Sequence, residues 1–466
     1  MMKKQGKLVL KAAVAALAML AFGQTVAQPM EVGVAVHFGH NRGNLALTQD
    51  FVAKSGFVSV RSDVSWGMSE NASGVLGLRD GSLLLRNAML QLPTVTRPVY
   101  IFAYGNALYD GGGQPSTPAG YAAYSRFTST ILPQLPNFNS SYVELWNEWN
   151  LGAGTKPAVR TGSVVDYSAM VKVAAPAVRK VAPGAKILVG ALADDFPDWT
   201  FAKGMLSQGA LDVADGLSVH IYNHCAGTKV GSDEAMGRLD ALRGYMVAAG
   251  KGAKPIYVTE FGWPSNTAGT CGVPEMDGAL YTVRFLLEAS TRNWLGGIWL
   301  YELLEGGLDP ADRESHFGAY RMTEIPNSRD AVLKATPILP EVTAAATKPI
   351  GCVVTSVAKL IGNRPVLTSS AGALRSALYD DGTRRMVALW NASTKPLVAP
   401  TGTLNVTGGK GGAINPLALC GVAGGSYVQK SATATGTSFG FTLKGGAPLL
   451  LEFPSSTAIT GIEVRE

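Results

Sequence analysis

Between residues 31 and 303 the chain alternates two kinds of apolar pattern. Unbroken apolar runs occur at "EVGVAVHFG" (31–39), "FVSVRSDVSW" (57–66), "RPVYIFAYG" (97–105), "YVELWNEWN" (142–150), "KILVGALA" (186–193), "GLSVHIYN" (216–223), "PIYVTEFGW" (255–263) and "GGIWLYEL" (296–303). Between several of them lie amphipathic stretches with helical spacing, such as "LALTQDFVAKSG", "SLLLRNAMLQL" and "DYSAMVKVAAPAVRKVAP". Runs without clean alternation suit strands covered on both faces, and helices between them make consecutive strands parallel. The predicted fold is α/β: a closed (β/α)8 TIM barrel over residues 28–335. A doubly wound open sheet is the alternative, but no glycine-rich nucleotide loop follows the first strand.

Near residue 335 the texture changes. "KATPILPEVTAAATKPIG" is rich in Pro, Ala and Thr and reads as a linker. Beyond about residue 352, short β-like runs with turn residues dominate, among them "SALYDDGTRRMVALWNAS", "GSYVQKS" and "FGFTLKGGAPLLLEF", and helical periodicity is nearly absent. Residues 336–466 therefore read as this linker followed by a small antiparallel β-sandwich. The "DDGT" stretch marks a hairpin within it.

Composition narrows the setting. The chain opens with Lys3, Lys4 and Lys7, continues with an apolar run, and reaches the small residues Thr25 and Ala27. That order is a secretory signal, residues 1–27, cleaved after Ala27, which predicts a periplasmic or secreted protein. No later run is long enough to span a bilayer, so no stable membrane insertion is expected after cleavage. The formal charge of +6 includes four lysines of the signal. The remainder is too small, and too dispersed, to argue for nucleic acid. Four cysteines in an exported chain predict two disulfides. Cys225–Cys271 and Cys352–Cys420 is the pairing that respects the domain division.

In a (β/α)8 barrel, chemistry sits at the C-terminal ends of the strands. Six of the eight runs carry polar or aromatic residues there: Arg61 and Asp63; Tyr104 and Asn106; Asn147 and Glu148; His220 and Tyr222; Glu260; and Trp299, Tyr301 and Glu302. Burying Asn147 and Glu148 unpaired would cost several kcal/mol, so their place at the end of an apolar strand demands partners or a function. Glu148 and Glu260 end strands three apart and so face each other across the barrel mouth. Two facing carboxylates suit glycoside hydrolysis, one as acid/base and one as nucleophile. Trp149, Trp263 and Trp299 are candidate stacking surfaces for sugar rings, and Asn147 a partner for a sugar hydroxyl. Glu144, about 13 Å below Glu148 along an extended strand, belongs near the bottom rim and is a poor catalytic candidate. His220 and His224 can share a face, but no HExxH or cysteine cluster supplies further zinc ligands, and His37 and His40 are placed elsewhere on the rim. No metal and no cofactor is expected.

Together these residues resemble the clan A glycoside hydrolases, in which Arg ends strand two, Asn-Glu strand four, His and Tyr lie on strand six, and Glu and Trp end strands seven and eight. Arg61, Asn147, Glu148, His220, Tyr222, Glu260 and Trp299 match in order. The resemblance implies a retaining enzyme with Glu148 as acid/base and Glu260 as nucleophile, the latter hydrogen-bonded by Arg61 and Tyr222. Where many members have His at the end of strand three, this chain has Tyr104 and Asn106. "YGNALYDGGGQPSTPAGYAAY" and "YELLEGGLDPADRESHFGAYR" are most similar to family 39, whose members include bacterial exopolysaccharide glycosidases. The expected activity is endo-cleavage of a bacterial exopolysaccharide by a monomer. Alternatives are an exo-acting β-xylosidase, an endoglucanase- or mannanase-like enzyme, and a carbohydrate-binding protein without catalysis.

Overall fold

The eight apolar runs form eight parallel strands: β1 (Glu31–Ala35), β2 (Ser59–Ser65), β3 (Val99–Ala103), β4 (Tyr142–Leu145), β5 (Lys186–Leu192), β6 (Gly216–Ile221), β7 (Ile256–Phe261) and β8 (Leu295–Leu300). They hydrogen-bond in sequence order, and β8 pairs back onto β1 to close the barrel. The computed structural model describes residues 29–466 except 41, 73, 156–162, 323–345, 394–399, 409–414, 418, 421–423, 434 and 445. The predicted signal and most of the predicted linker lie outside the described residues.

A helix follows each strand: α1 (Leu45–Ser55), α2 (Asp80–Leu90), α3 (Pro118–Ile131), α4 (Val164–Val181), α5 (Thr200–Ser207), α6 (Ser232–Ala248), α7 (Glu275–Ser290) and α8 (Pro349–Ile361). Local chemistry sets their starts. Asn44 and Thr117 accept the N–H groups of Leu47 and Gly120, and Ser163 forms a capping box with Asp166, satisfying donors that a helix start leaves open.

The last helix corrects the predicted boundary. Residues 349–361, assigned from sequence to the linker and β-sandwich, are helical and pack between α7 and α1, completing the outer ring of the barrel. "PIGCVVTSVAKLI" is rich in β-branched residues, which is why it reads as β. Its buried Ile350, Val353, Val354, Val357 and Ile361 nevertheless follow helical spacing.

Beyond α8 the chain forms two antiparallel sheets. One contains β9 (Leu367–Ala371), β10 (Leu374–Asp380), β11 (Arg385–Asn391), β13 (Asn415–Leu417) and β16 (Leu449–Phe453); the other contains β12 (Thr401–Thr407), β14 (Gly425–Ala432), β15 (Gly436–Leu443) and β17 (Gly461–Arg465). The predicted hairpin joins β10 to β11 through 381–384, with Gly382 at φ 84°, where a side chain would be strained. Alternate residues of the first sheet face two ways. Leu378, Val387 and Leu389 pack on the second sheet, while Tyr379, Met386 and Trp390 join the barrel core. Trp390 Nε1 donates to Glu288 Oε1 of α7 at 2.7 Å, and the Tyr379 and Ser290 hydroxyls lie 2.7 Å apart.

Both disulfides pair as expected. Cys225–Cys271 ties the loop after β6 to the loop after β7. Because Cys352 lies on α8, the second bridge joins the barrel to the β-sandwich rather than staying within the latter. Among the described residues no helix is long and apolar enough to cross a membrane.

Candidate active site

The barrel interior is layered. Low in the barrel, Val99, Tyr142, Leu188, Tyr257 and Trp299 form one apolar cluster. Gly33 and Gly297 make room for the indole: a Cβ at either would lie 2.3 or 2.7 Å from Trp299 ring atoms.

Above this layer sits Arg61, buried on β2. Its Nε donates to Glu144 at 2.8 Å, Nη1 to Glu260 at 2.5 Å and Nη2 to Asn147 at 2.8 Å. Burial opposes the guanidinium charge, but Glu144, Glu260 and Asp63 outweigh it and keep Arg61 protonated. Glu144 is thus not a bottom-rim residue: it lies fully buried beneath the site and anchors the central cation.

Two breaks in strand alternation assemble this contact set. Glu144 and Asn147 both reach Arg61 although three residues apart, an odd offset that a regular strand sends to opposite faces. Trp146, between them at φ 77°, supplies the break, and Glu148 follows at φ 49°. Such conformations cost about 1–3 kcal/mol for non-glycine residues, and their N–H groups are held by Phe102 O and Ala191 O, each at 3.0 Å. On β7 the register against β6 slips so that Val219 pairs with Val258 and His220 with Glu260. The extra residue, Thr259, lets Tyr257 fill the lower layer and Glu260 the upper one, the re-aiming that a β-bulge provides.

Glu260 has a donor on each oxygen. Besides Arg61 on Oε1, the Tyr222 hydroxyl donates to Oε2 at 2.7 Å. Burial and the nearby Glu260 charge hold the Tyr222 phenol well above its ordinary range, so it remains a donor. Glu148 is more open, with a side chain 23% exposed against 10% for Glu260, and contacts His220 Nδ1 at 2.8 Å. His220 Nε2 lies 3.2 Å from Arg61 Nη2, which has only protons to offer. In the neutral ring, Nε2 is therefore the acceptor and Nδ1–H donates to Glu148. Burial lowers the His220 pKa, but Glu260 and Glu148 outweigh it and raise it overall.

Glu148, His220 and Glu260 each present an atom within 4.8 Å of the others, a spacing that also suits a metal ion. Here the guanidinium already lies against Glu260 and His220, and the neutral imidazole turns a proton, not a lone pair, toward the carboxylates. This donor set does not fit a divalent cation.

The cleft above these groups has a volume of about 1130 Å³. His37, His40, Arg42, Asp63, Tyr104 and Tyr301 line one side, and Leu151, Asp194, Phe196, His224, Arg238 and Phe317 contribute elsewhere. His37 and His40, expected elsewhere on the rim from His220 and His224, thus line the same cleft. Asp63 accepts from Tyr104 Oη at 2.9 Å and pairs with His37 and His40, each at 3.4 Å. Burial alone would raise the Asp63 pKa, but the two histidines hold it well below the usual carboxylate range. His37 also pairs with Glu302 at 2.8 Å. Burial opposes its protonation, yet Asp63 and Glu302 push its pKa up to about 9. His224 is the reverse case: burial and Arg313 lower it to about 4.

Arg61, Asn147, Glu148, His220, Tyr222 and Glu260 thus come together as a contact set, with Tyr104 on the cleft wall. The three tryptophans do not. Trp149 is fully buried, stacks edge-on against Trp146 and Tyr167, and donates to Ser163 O. Trp263 is buried among Phe261, Tyr281 and Phe285 and donates to Asn223. Trp299 belongs to the lower layer and donates to Ser59; Tyr301, two residues on, lines the cleft instead. Asn106 serves structure, donating to buried Glu70. Asp63, His37 and Glu302 were missed as a cluster, although Asp63 shares the Arg61 face at i+2 and Glu302 directly follows the strand-eight rim.

No protein-family model matches the chain, and no curated protein sequence matches it. Solved structures do match. A family 39 glycoside hydrolase from Bacteroides cellulosilyticus WH2 superposes with a TM-score of 0.62 at 19% identity, over 92% of this chain and 81% of that one. The two share a fold, a closed (β/α)8 barrel followed by a β-sandwich. A monomeric β-xylosidase from Caulobacter crescentus CB15 is similar, with a TM-score of 0.58 at 13% identity over 92% and 97% of the two chains. So is the catalytic domain of GH30 xylanase C from Talaromyces cellulolyticus, with a TM-score of 0.57 at 11% identity over 94% and 98%. At these identities the likeness is one of fold.

Proposed function

We propose that this protein is a retaining glycoside hydrolase. The observation that carries the reading is the spacing of Glu148 and Glu260, whose nearest oxygens lie within 4.8 Å across the cleft. Retaining enzymes hold their carboxyl groups about 5–5.5 Å apart, whereas inverting enzymes need about 6.5–9.5 Å to admit a water. Surroundings divide the roles. Glu260, gripped by Arg61 and Tyr222, attacks the anomeric carbon. Glu148, exposed enough to exchange protons with water and oriented by His220, protonates the departing oxygen and then deprotonates the water that releases the sugar. Asn147, fixed by Arg61, faces the sugar ring. The glycosidase names of the structural neighbours support the same reading.

For substrate we propose internal cleavage of a bacterial exopolysaccharide by an exported monomer. The predicted signal, two disulfides and a cleft larger than the about 300–1000 Å³ of a typical small-ligand pocket support it. Proton NMR of the first-formed product tests the mechanism: the anomeric configuration should match the substrate, and inversion would overturn it. Product sizing of a polysaccharide digest tests the mode. Oligosaccharides are expected, whereas release of monosaccharide alone would assign an exo-acting enzyme.

A further inference from the structure

With all three tryptophans buried, the cleft needs another aromatic surface if it holds more than one sugar ring. We infer that Phe196 and Asp194, on the loop between β5 and α5, form the subsite for the ring on the leaving-group side of the scissile bond. Phe196 would be its stacking platform and Asp194 the acceptor of its hydroxyls. The inference rests on the glycosidase reading and adds the location of a subsite to it.

Phe196 lines the cleft with 39% of its surface exposed, although large aromatic side chains are normally well covered. Its presentation is built in. Phe196 sits in a turn closed by the Trp199 N–H donating to Asp195 O at 2.7 Å. Asp195, between the two residues, spends its carboxylate on the N–H groups of Phe201 and Ala202 at the start of α5, each at 2.8 Å. This ties the loop to the helix. The Arg238 guanidinium lies 4.1 Å from the Phe196 ring centroid and is itself held by Glu234 Oε1 at 2.8 Å and Tyr222 O at 2.9 Å. The ring is thus braced while remaining open.

Asp194 has no hydrogen-bond or ion-pair partner among the described residues, yet it lines the same cleft in a left-handed conformation at φ 52°. A free carboxylate facing a cleft accepts two hydroxyl groups well. The side of the scissile bond follows from the backbone. Glu148 N–H donates to Ala191 O at 3.0 Å, and Asn150 Nδ2 to Ala193 O at 2.5 Å, which joins the proton donor's loop to the end of β5. Asp194 and Phe196 therefore continue the wall that carries Glu148. The group that receives its proton leaves along that wall.

The test compares matched probes with and without a leaving-group ring: xylobiose against β-D-xylosyl fluoride, and gentiobiose against β-D-glucosyl fluoride. For each protein the ratio of kcat/KM on the disaccharide to kcat/KM on the fluoride is measured. Phe196→Ala should lower that ratio about tenfold or more, and Asp194→Ala about fivefold, with Phe196→Tyr restoring it. A ratio equal to the wild type's in Phe196→Ala overturns the subsite, because a merely structural role would depress both probes alike. Wild-type inactivity on all four probes and in the polysaccharide digests alike, by contrast, brings down the glycosidase reading itself.

Discussion

Trp299, Tyr142 and Tyr257 fill the lower barrel with aromatic rings, whereas Arg61, Glu144, Asn147, His220 and Glu260 fill the upper barrel with charge and hydrogen bonds. β4 and β7 supply residues to both layers. In the lower one the centroids of the three rings lie 5.5–6.3 Å apart, and the indole N–H finds Ser59. Apart from that hydrogen bond the layer is held by apolar packing, so it tolerates changes that conserve volume. The upper layer is stable only as a closed set. Removing one member strands a buried charge, a loss of about 3–5 kcal/mol for a buried pair, while the remaining partners turn elsewhere. One layer holds the barrel open to the right diameter; the other spends that rigidity on positioning two carboxylates.

The largest effect should come from the upper layer. Glu260→Gln preserves shape and removes the proposed nucleophile, so turnover should fall by on the order of 10⁴-fold or more with an unchanged circular dichroism spectrum. Substantial residual activity would mean that another group attacks. Trp299→Ala, in the lower layer, should cost about 3–5 kcal/mol in chemical denaturation. The protein that remains folded should keep kcat/KM within a few-fold. An activity loss approaching that of Glu260→Gln, measured well below the unfolding midpoint, would show that the two layers are not separable.

Protonation sharpens the contrast. His37 is raised from 6.5 to about 9 in the folded state, so its contribution is fully present below pH 6.5 and disappears as pH rises through about 9. His37→Gln should therefore be less stable than wild type by up to about 3 kcal/mol at pH 6, with the gap closing by pH 10. A gap that does not change with pH would remove the charge from this account. At the opposite mouth, Glu31 on β1 is raised from 4.5 to about 7, because burial outweighs Arg97 and Tyr142. Its raised value favours the folded state at low pH, and that advantage is lost as pH rises through about 7. Glu31→Gln should thus gain on the order of 1 kcal/mol over wild type at pH 8 and nothing below pH 4.5. Greater stability of wild type at pH 8 would show that the ion pair with Arg97 at 2.8 Å matters more than burial.

The barrel strands were legible because an apolar run ending in polar residues has few other places to go. Glu148 and Glu260 were legible for the same reason: each ends such a run, and strand counting puts them across the mouth from one another. The tryptophans were misjudged because alternation reports which face a side chain takes, not how deep in the barrel it lies. Trp299 and Tyr301 share a face, yet only Tyr301 lines the cleft. Helix α8 was missed because β-branched residues dominate it, and packing between α7 and α1 overrode that preference.

By itself, then, the order of residues determined that eight strands alternate with helices, that acidic groups end the fourth and seventh, and that a β-rich unit follows. Closure decided the rest. Only in the folded barrel do the left-handed Trp146 and the extra residue Thr259 turn Asn147 and Glu260 inward onto Arg61. The physical reason is that these departures are unfavourable or neutral locally and are stabilised by partners far away in sequence. No pattern within a single strand records them.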